Sequence, residues 1–481
     1  MKLLNRYFEK YALIIFGVIT LIYALFLKQP FCDETHAYDI ACLSFGEIFQ
    51  ITRIEGHTFL WYYILKPFCA LNLFPYSMIF VNWAFCMGAL YVLWKKAPFS
   101  TFAKTCITFS TPFLLYYAIF ARCYCIGLFF FFLLCSIYPK RFKRPYLFSS
   151  ILCICANCNT MMLVGCFYLG LTYVYELILR YRKKLFSKKK LLIVFLIFFL
   201  CSILILSQFL SLQTSDKGDS SYFFNLLFLY LAPIANQPFA LVFRILCAIA
   251  FYYLLFYLFK NCKKALFFIL PTYLTITYIF ATYYRGHFWN YYTYLIYFIA
   301  LFWLFKKYFK KDKLLKFLFP SILFMLMIPY SIFEDGKIEL VFKSEAKQIS
   351  QIILNNPELK NSKLYQIEWW SDIHPGASRY LIKENIKIYD MHNRNRLAFP
   401  SMRDIFVAQK ELIDFDEFYE NMDKNGIIIT GDDMINRPFK NMQLAKSQND
   451  YIFKTQKAKY LIKEIVNGNG IKFFAYKVYK I

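Results

Sequence analysis

LLIVFLIFFLCSILILSQFL, residues 191–210, runs without a charged side chain and follows directly on the basic stretch KKLFSKKK at 183–190. A bilayer crossing needs about 20 predominantly apolar residues, whereas a buried core helix of a soluble protein is shorter and polar on one side. The same grammar recurs along the chain. Apolar runs near 10–27, 76–94, 101–118, 124–138, 145–158, 160–179, 238–259, 264–283, 288–305 and 314–331 are each bounded by turns or Lys/Arg clusters. Over the whole sequence, 59% of residues are hydrophobic and 22% aromatic. No soluble core of 481 residues needs that much apolar surface, so the fold class is a polytopic α-helical membrane protein of about eleven spans. The run from Tyr11 to Leu27 leads into a charged loop without a small-residue cleavage site, which makes it a retained first span rather than a secretory signal.

The formal charge of +26 would suit nucleic acid if the cations formed a face. They lie instead at the ends of apolar runs, the pattern that sets membrane orientation, and nucleic acid is excluded as a partner. The 15 cysteines all occur at or before Cys262, mostly within apolar runs, where a thiol behaves as a small hydrophobe. CICANC (153–158) lacks a second matching pair and is read as packing rather than a metal knuckle. Cys32 and Cys42 share one polar loop, and the sequence leaves their pairing open.

Parity decides the topology. Phe59 to Phe74 is apolar but contains Lys66-Pro67. If it lies along the surface, with Trp61, Tyr62 and Tyr63 among the headgroups, then Lys2/Arg6/Lys10, Lys95/Lys96 and the clusters at 140–144, 180–190, 260–264 and 306–313 fall on one side. If it spans, the later clusters move to the wrong side. The N-terminus is therefore placed in the cytoplasm and residues 332–481 outside, beyond a membrane domain of residues 1–331 whose first outer loop, 28–75, carries juxtamembrane helices. The tail has ordinary soluble composition. Helix-like KSEAKQISQIILNN alternates with strand-like KLYQIEWW, IKIYD, GIIIT and IKFFAYKV, the rhythm of a small α/β domain, and GNG near Gly468 reads as a turn before the last strand. There is no internal repeat and no glycine-rich phosphate loop.

Three outward segments carry polar groups out of keeping with their surroundings. The first loop holds Asp33, Glu34, His36, Asp39, Glu47, Arg53, Glu55 and His57; an acidic loop beside anionic headgroups is costly unless it has a task. Taken alone, Asp33-Glu34 could simply cap a helix beginning at His36-Ala37. Arg122 opens a span on the outer side, and Arg285 with His287 sits at another outer turn, places where a cation can also serve as an interfacial anchor. Together the groups describe a reaction. A sugar on a lipid phosphate departs with an anionic leaving group that needs cations rather than a proton donor, while the acceptor hydroxyl needs a carboxylate base.

These segments resemble the GT-C superfamily of polyprenyl-phosphate-sugar-dependent glycosyltransferases, in the branch of the protein O-mannosyltransferases and the bacterial aminoarabinose transferase of lipid A. Asp33-Glu34 matches the acidic first-loop motif, and EGHTFLWYY (55–63) resembles the segment opening a juxtamembrane helix. TPFLLYYAIFARCYCIGLFFF (111–131) resembles the second outer turn, and YRGHFWNYY (284–292) an Arg/His turn before a late span. The resemblance covers residues 1–331 and implies Asp33 as general base with Glu34 as its companion. It also implies Arg122, Arg285 and His287 as holders of the donor phosphate, with His36, Arg53, Glu55, His57, Tyr117 and Tyr124 lining the pocket. Thr58 stands where the family usually has proline, and the Asn157 to Thr160 turn lacks a histidine found in many relatives.

The implied partners are a polyprenyl-phosphate-linked sugar, the bilayer, and a glycan, lipid or protein acceptor, in a bacterial inner membrane. Crowding of Asp33, Glu34 and His36 leaves room for a divalent cation. The competing readings are a flippase of lipid-linked saccharides, which would place charges near the midplane, and a saccharide polymerase or ligase, which would concentrate its polar residues in a late outer loop.

Overall fold

The computed structural model describes residues 2–209, 262–282, 288–305, 344–366, 376–390, 415–431 and 443–481, apart from isolated positions within these ranges, and scattered residues between 249 and 260. Most of the expected span at 238–259, and the whole of the span at 314–331 and the basic cluster at 306–313, lie outside the described residues. The chain divides into two compact units, one of residues 1–25 and 44–341 and the other of 26–43 and 342–481.

The first unit is helical: α1 (Lys2–Ile22), α3 (Phe45–Glu55), α4 (Leu60–Cys69), α5 (Tyr76–Lys96), α6 (Thr101–Thr108), α7 (Cys123–Ile137), α8 (Pro145–Ala156), α9 (Thr160–Arg182), α10 (Lys188–Phe209), α11 (Lys263–Thr282) and α12 (Phe288–Leu304). Between α1 and α3 the chain contributes a further helix, α2 (Cys32–Cys42), to the second unit. Among the described residues, four helical segments are long and apolar enough to cross a membrane: Tyr76–Lys96, Cys123–Lys140, Thr160–Arg182 and Lys188–Gln208. Shorter apolar helices cover Tyr11–Leu27, Pro145–Ala156 and Tyr292–Leu304. Around α10 the stretch quoted first above is the most exposed, with Leu192, Leu196, Phe199, Leu200, Ile203 and Leu206 all open. An unbroken apolar surface of that length suits hydrocarbon rather than water, and it marks the chain as membrane-associated.

Two expectations change in this unit. The run 101–118 is not one helix: α6 ends at Thr108, and a π-helical turn follows over Pro112–Tyr117. Pro112 cannot donate to an α-helical ladder, and the Ser110 hydroxyl bonds the Ile107 carbonyl at 2.8 Å, so the backbone breaks there. The segment 59–74 forms only the ten-residue α4, too short to cross, yet Trp61 and Tyr62 are 1% exposed. They pack into protein instead of standing among headgroups.

The unit is built by close helix approaches. α5 lies on α1 and α7, α7 on α8, and α9 between α8 and α11. Arg180 and Arg182 in the last turn of α9, and Lys95 and Lys96 in that of α5, complement the negative ends of their helix dipoles. Near the foot of α9, Glu176 is 5% exposed and bound by Arg141, whose Nε and Nη2 lie 2.9 and 3.1 Å from its oxygens, and by Lys264 of α11. Higher on α9, a Cβ added to Gly165 would stand 2.1 Å from the Tyr297 ring of α12. That ring cannot step aside, because its hydroxyl bonds the Met161 carbonyl and accepts from the Gly165 N–H at 3.2 Å. Gly165→Ala is therefore expected to destabilise the unit by about 1–3 kcal/mol, the usual range for overpacking. Thermal unfolding in detergent checks this, and an unchanged midpoint would mean that α9 and α12 are less tightly joined.

The second unit contains a mixed seven-stranded sheet in the order β2-β1-β3-β7-β6-β5-β4, with β1 (Leu364–Gln366), β2 (Ile388–Asp390), β3 (Ile427–Thr430), β4 (Gln443–Ser447), β5 (Asp450–Lys454), β6 (Lys459–Asn467) and β7 (Phe474–Lys480). β1 runs parallel to β2 and β3, and the remaining neighbours are antiparallel. Alternation along β3 feeds both faces. Ile428 joins Phe415 and Phe418 of α16 (Phe415–Asn421) on one side, and Ile427 and Ile429 join Ile349 and Ile353 of α13 (Ala346–Asn355) on the other. Two short helices, α14 (Pro357–Lys360) and α15 (Ser378–Leu381), complete the described part. Gly468 makes the turn after β6, its N–H bonding the Phe473 carbonyl at 2.9 Å.

Candidate functional site

The proposed outer residues divide between the two units. Arg53, Glu55, His57, Tyr117, Arg122 and Tyr124 belong to the helical unit, and Asp33, Glu34 and His36 to the α/β unit. Arg285, His287 and the side chain of Glu55 lie outside the described residues.

In the helical unit the chain crosses from the π-helical turn to α7 through an extended Arg122, whose N–H bonds the Phe120 carbonyl at 2.9 Å. Arg122 is 6% exposed, Tyr124 7% and Tyr117 2%. An arginine buried this far is not snorkelling to water from a span end, the simpler account of its position. Its place at the start of α7 adds the positive end of the helix dipole to its own charge, and both favour an anion. His57, just beyond α3, is half-buried, with Nδ1 3.8 Å from the Cys123 Sγ and its ring edge-on to Tyr124 at 6.0 Å between centroids. Tyr116 stands between them and α12, its ring centroid 5.6 Å from Tyr124, 5.2 Å from Tyr117 and 5.3 Å from Tyr292. One end of this unit thus gathers a histidine, an arginine and an aromatic wall from segments distant in sequence. Arg53 lies half-buried in α3.

Thr58 and the turn at Asn157 to Thr160, far apart in sequence, meet each other. The Thr58 hydroxyl donates to the Asn157 carbonyl, and the Asn157 amide in turn donates to the Cys153 carbonyl at 2.9 Å. Next along the turn, Asn159 caps α9 by accepting from the Met162 N–H at 2.9 Å, and its amide donates to the Cys123 carbonyl at 3.3 Å. Side-chain hydrogen bonds to the backbone therefore close this corner. The sequence shows both positions as gaps in a pattern, and gives no sign that the side chain of one meets the backbone of the other.

In the α/β unit, α2 begins four residues earlier than the expected start at His36. Asp33 and Glu34 sit in its first turn, and Glu34 bonds back to the Phe31 N–H at 2.8 Å. Glu34 is fully buried and ion-paired with Lys28. Burial pulls the Lys28 ammonium below its ordinary value, an effect that Glu34 opposes. His36 is 2% exposed and Asp33 half-buried. Cys42 carries a free thiol, so it is not bridged to Cys32. Among the described residues no three His, Cys, Asp or Glu side chains gather as a metal site, and Glu34 is committed to Lys28 and the backbone. Glu34 would have to give up Lys28 to join Asp33 and His36 around a cation.

Asp39, noted in the sequence only as part of an acidic loop, is 3% exposed, with Oδ1 3.1 Å from Arg379 Nη1 of α15. Burial pushes its carboxyl up to about 6 in spite of the arginine and His36. A raised carboxylate value in the folded state means stability that is full below the ordinary 3.8 and is lost as pH rises through about 6. Amide protection of α2, corrected for intrinsic exchange, is expected to fall over that interval and level off above it, and Asp39→Asn is expected to flatten the slope. Protection that rises with pH across the same window would contradict this.

Compared with known protein families the chain matches none, and no curated protein matches it.

Proposed function

We propose that the chain is a multi-pass membrane glycosyltransferase of GT-C type, which moves a sugar from a polyprenyl-phosphate donor to an acceptor hydroxyl on the extracytoplasmic face. The observation that carries the reading is the buried Arg122 at the start of α7, one residue before the Cys123 whose Sγ meets His57 and two before the Tyr124 whose ring meets it. A guanidinium at a helix N-terminus adds its charge and planar fork of donors to the helix dipole, a combination suited to a phosphate. Asp33 is the proposed base: it takes the acceptor proton, the hydroxyl oxygen bonds to the anomeric carbon with inversion, and the carbon–oxygen bond to phosphate breaks. The bonding pair leaves with the polyprenyl phosphate, whose charge Arg122, Arg285 and His287 stabilise, with Arg53, Glu55, His57, Tyr117 and Tyr124 around the donor. Glu34 supports the first turn of α2 through Lys28. The reading includes about eleven crossings, a cytoplasmic N-terminus, an outer α/β unit and an inner-membrane location.

Proteoliposomes holding the purified chain, a radiolabelled polyprenyl-phosphate sugar and candidate acceptors test the proposal. Label transferred covalently, with release of polyprenyl phosphate, is the expected result. Label that crosses the bilayer while still attached to its lipid would replace the transferase with a flippase.

A further inference from the structure

The helix that bears the proposed base does not group with the membrane helices on either side of it. Residues 26–43 form one compact unit with residues 342–481, although residues 44–341 separate them in sequence. The attachment is specific. At the C-terminal half of α2, Arg379 brings Nη1 to 3.1 Å from Asp39 Oδ1 and Nη2 to 3.5 Å from Cys42 Sγ, and lays its guanidinium over Tyr38 at 5.0 Å. Before α2, the Gln29 side chain accepts the Lys347 N–H at 3.1 Å, satisfying an orphan donor in the first turn of α13. Lys28 and Glu34 fix the N-terminal turn. The helix is closed in by burial as well, with Ala37, Tyr38, Ile40 and Ala41 at 0% exposure.

We infer that Arg379 is a positioning residue, through which the C-terminal α/β unit sets where α2 presents the carboxylate of Asp33. This rests on the transferase reading of Asp33. The leverage follows from helix geometry. Asp33 and Asp39 are six positions apart, roughly 9 Å along the axis at 1.5 Å per residue. A tilt of about 10° about the Arg379 end therefore moves the first turn by roughly 1.5 Å, and misplacement on the order of 1 Å costs about 10²-fold in rate. Asp39 is buried in an ion pair with Arg379, with His36 as a lesser influence, so removing the arginine takes away its principal counter-charge. The α/β unit is then part of the catalytic apparatus rather than a separable recognition module.

The test uses the full chain in lipid nanodiscs, with hydrogen exchange and transfer kinetics measured on Arg379→Ala, Arg379→Lys and the exchange Asp39→Arg/Arg379→Asp. Lys477→Ala, which breaks the exposed Glu358–Lys477 pair of the same unit, is the control. Arg379→Ala is expected to speed exchange in α2 at least tenfold while α5 and α7 keep wild-type protection. It is expected to lower kcat at least tenfold with donor KM near wild type. Arg379→Lys should recover much of both, the swapped pair should exceed either single reversal, and the control should match wild type. Wild-type exchange in α2 of Arg379→Ala would overturn the inference, as would altered exchange with an unchanged kcat. Should Arg379→Ala fail to fold, a swapped pair no better than its single reversals would overturn it equally. A wild-type chain that transfers no sugar removes the transferase reading instead, and leaves the exchange measurements to judge the clasp on its own.

Discussion

Asp33→Asn is expected to lower sugar transfer by about 10²–10⁴-fold, the range supplied by a positioned general base, while the chain still inserts and folds. The isosteric amide keeps the volume and can still accept a hydrogen bond, but it cannot take a proton from the acceptor. The substitution lies in the first turn of α2, where loss of one negative charge near a helix N-terminus costs only a few tenths of a kcal/mol to about 1 kcal/mol. A large loss of rate beside a small loss of stability is therefore the signature to look for. Substituting Glu34 instead should behave differently. Its carboxylate is buried against Lys28 and the Phe31 N–H, so Glu34→Gln would leave a buried ammonium without its partner and should show first as loss of folded protein. Wild-type turnover by Asp33→Asn would remove the proposed base.

Arg122→Ala is expected to reduce kcat by about 10²–10³-fold, as when one preorganised donor to a developing oxyanion is deleted. Phosphate charge grows as the carbon–oxygen bond breaks, so the arginine acts more strongly on the transition state than on the bound donor. kcat should accordingly fall further than donor KM rises. Arg122→Lys restores charge without the planar fork and should recover only part of the rate. Because Arg122 is 6% exposed, thermal unfolding must accompany the kinetics. A variant that folds as wild type and turns over at the wild-type rate would return Arg122 to an interfacial anchor.

What a sequence shows of a fold depends on the range of the forces involved. α10 can be read from its own residues, because an uncharged apolar run over 191–210 has one stable environment. The strands β1, β2, β3 and β7 are legible for a similar reason: β-branched and aromatic residues over a few positions declare themselves locally. β4 to β6, with sequences QLAKS, DYIFK and KYLIKEIVN, interrupt their apolar residues with charged and polar ones and form through antiparallel pairing with one another. The break at Pro112 is present in the sequence but is outvoted by the apolar character around it. The burial of Trp61 and Tyr62 depends on neighbours that no local pattern names.

At the candidate site, residue types are legible and assembly is not. Arg122, His57 and Tyr124 stand out as polar or aromatic groups between apolar runs, and the helical unit brings His57 against Tyr124 and against Cys123, the residue after Arg122. The acidic loop reads as a membrane-domain loop, but its first part, residues 26–43, groups with the tail; Asp39 and Arg379 meet across 340 positions of sequence that no periodicity can bridge. Arg285 and His287 fall outside the described residues and keep the roles proposed for them from the sequence.

The most direct measurement compares, by mass spectrometry, the glycolipids, glycans and glycoproteins of membranes from cells that lack the chain, cells that carry it, and cells that carry Asp33→Asn. One class of glycoconjugate should lose a single sugar residue without the chain, regain it with the wild type and fail to regain it with the variant. Identical profiles in all three, with the protein present at equal levels in the last two, would contradict the assignment of sugar transfer to this chain.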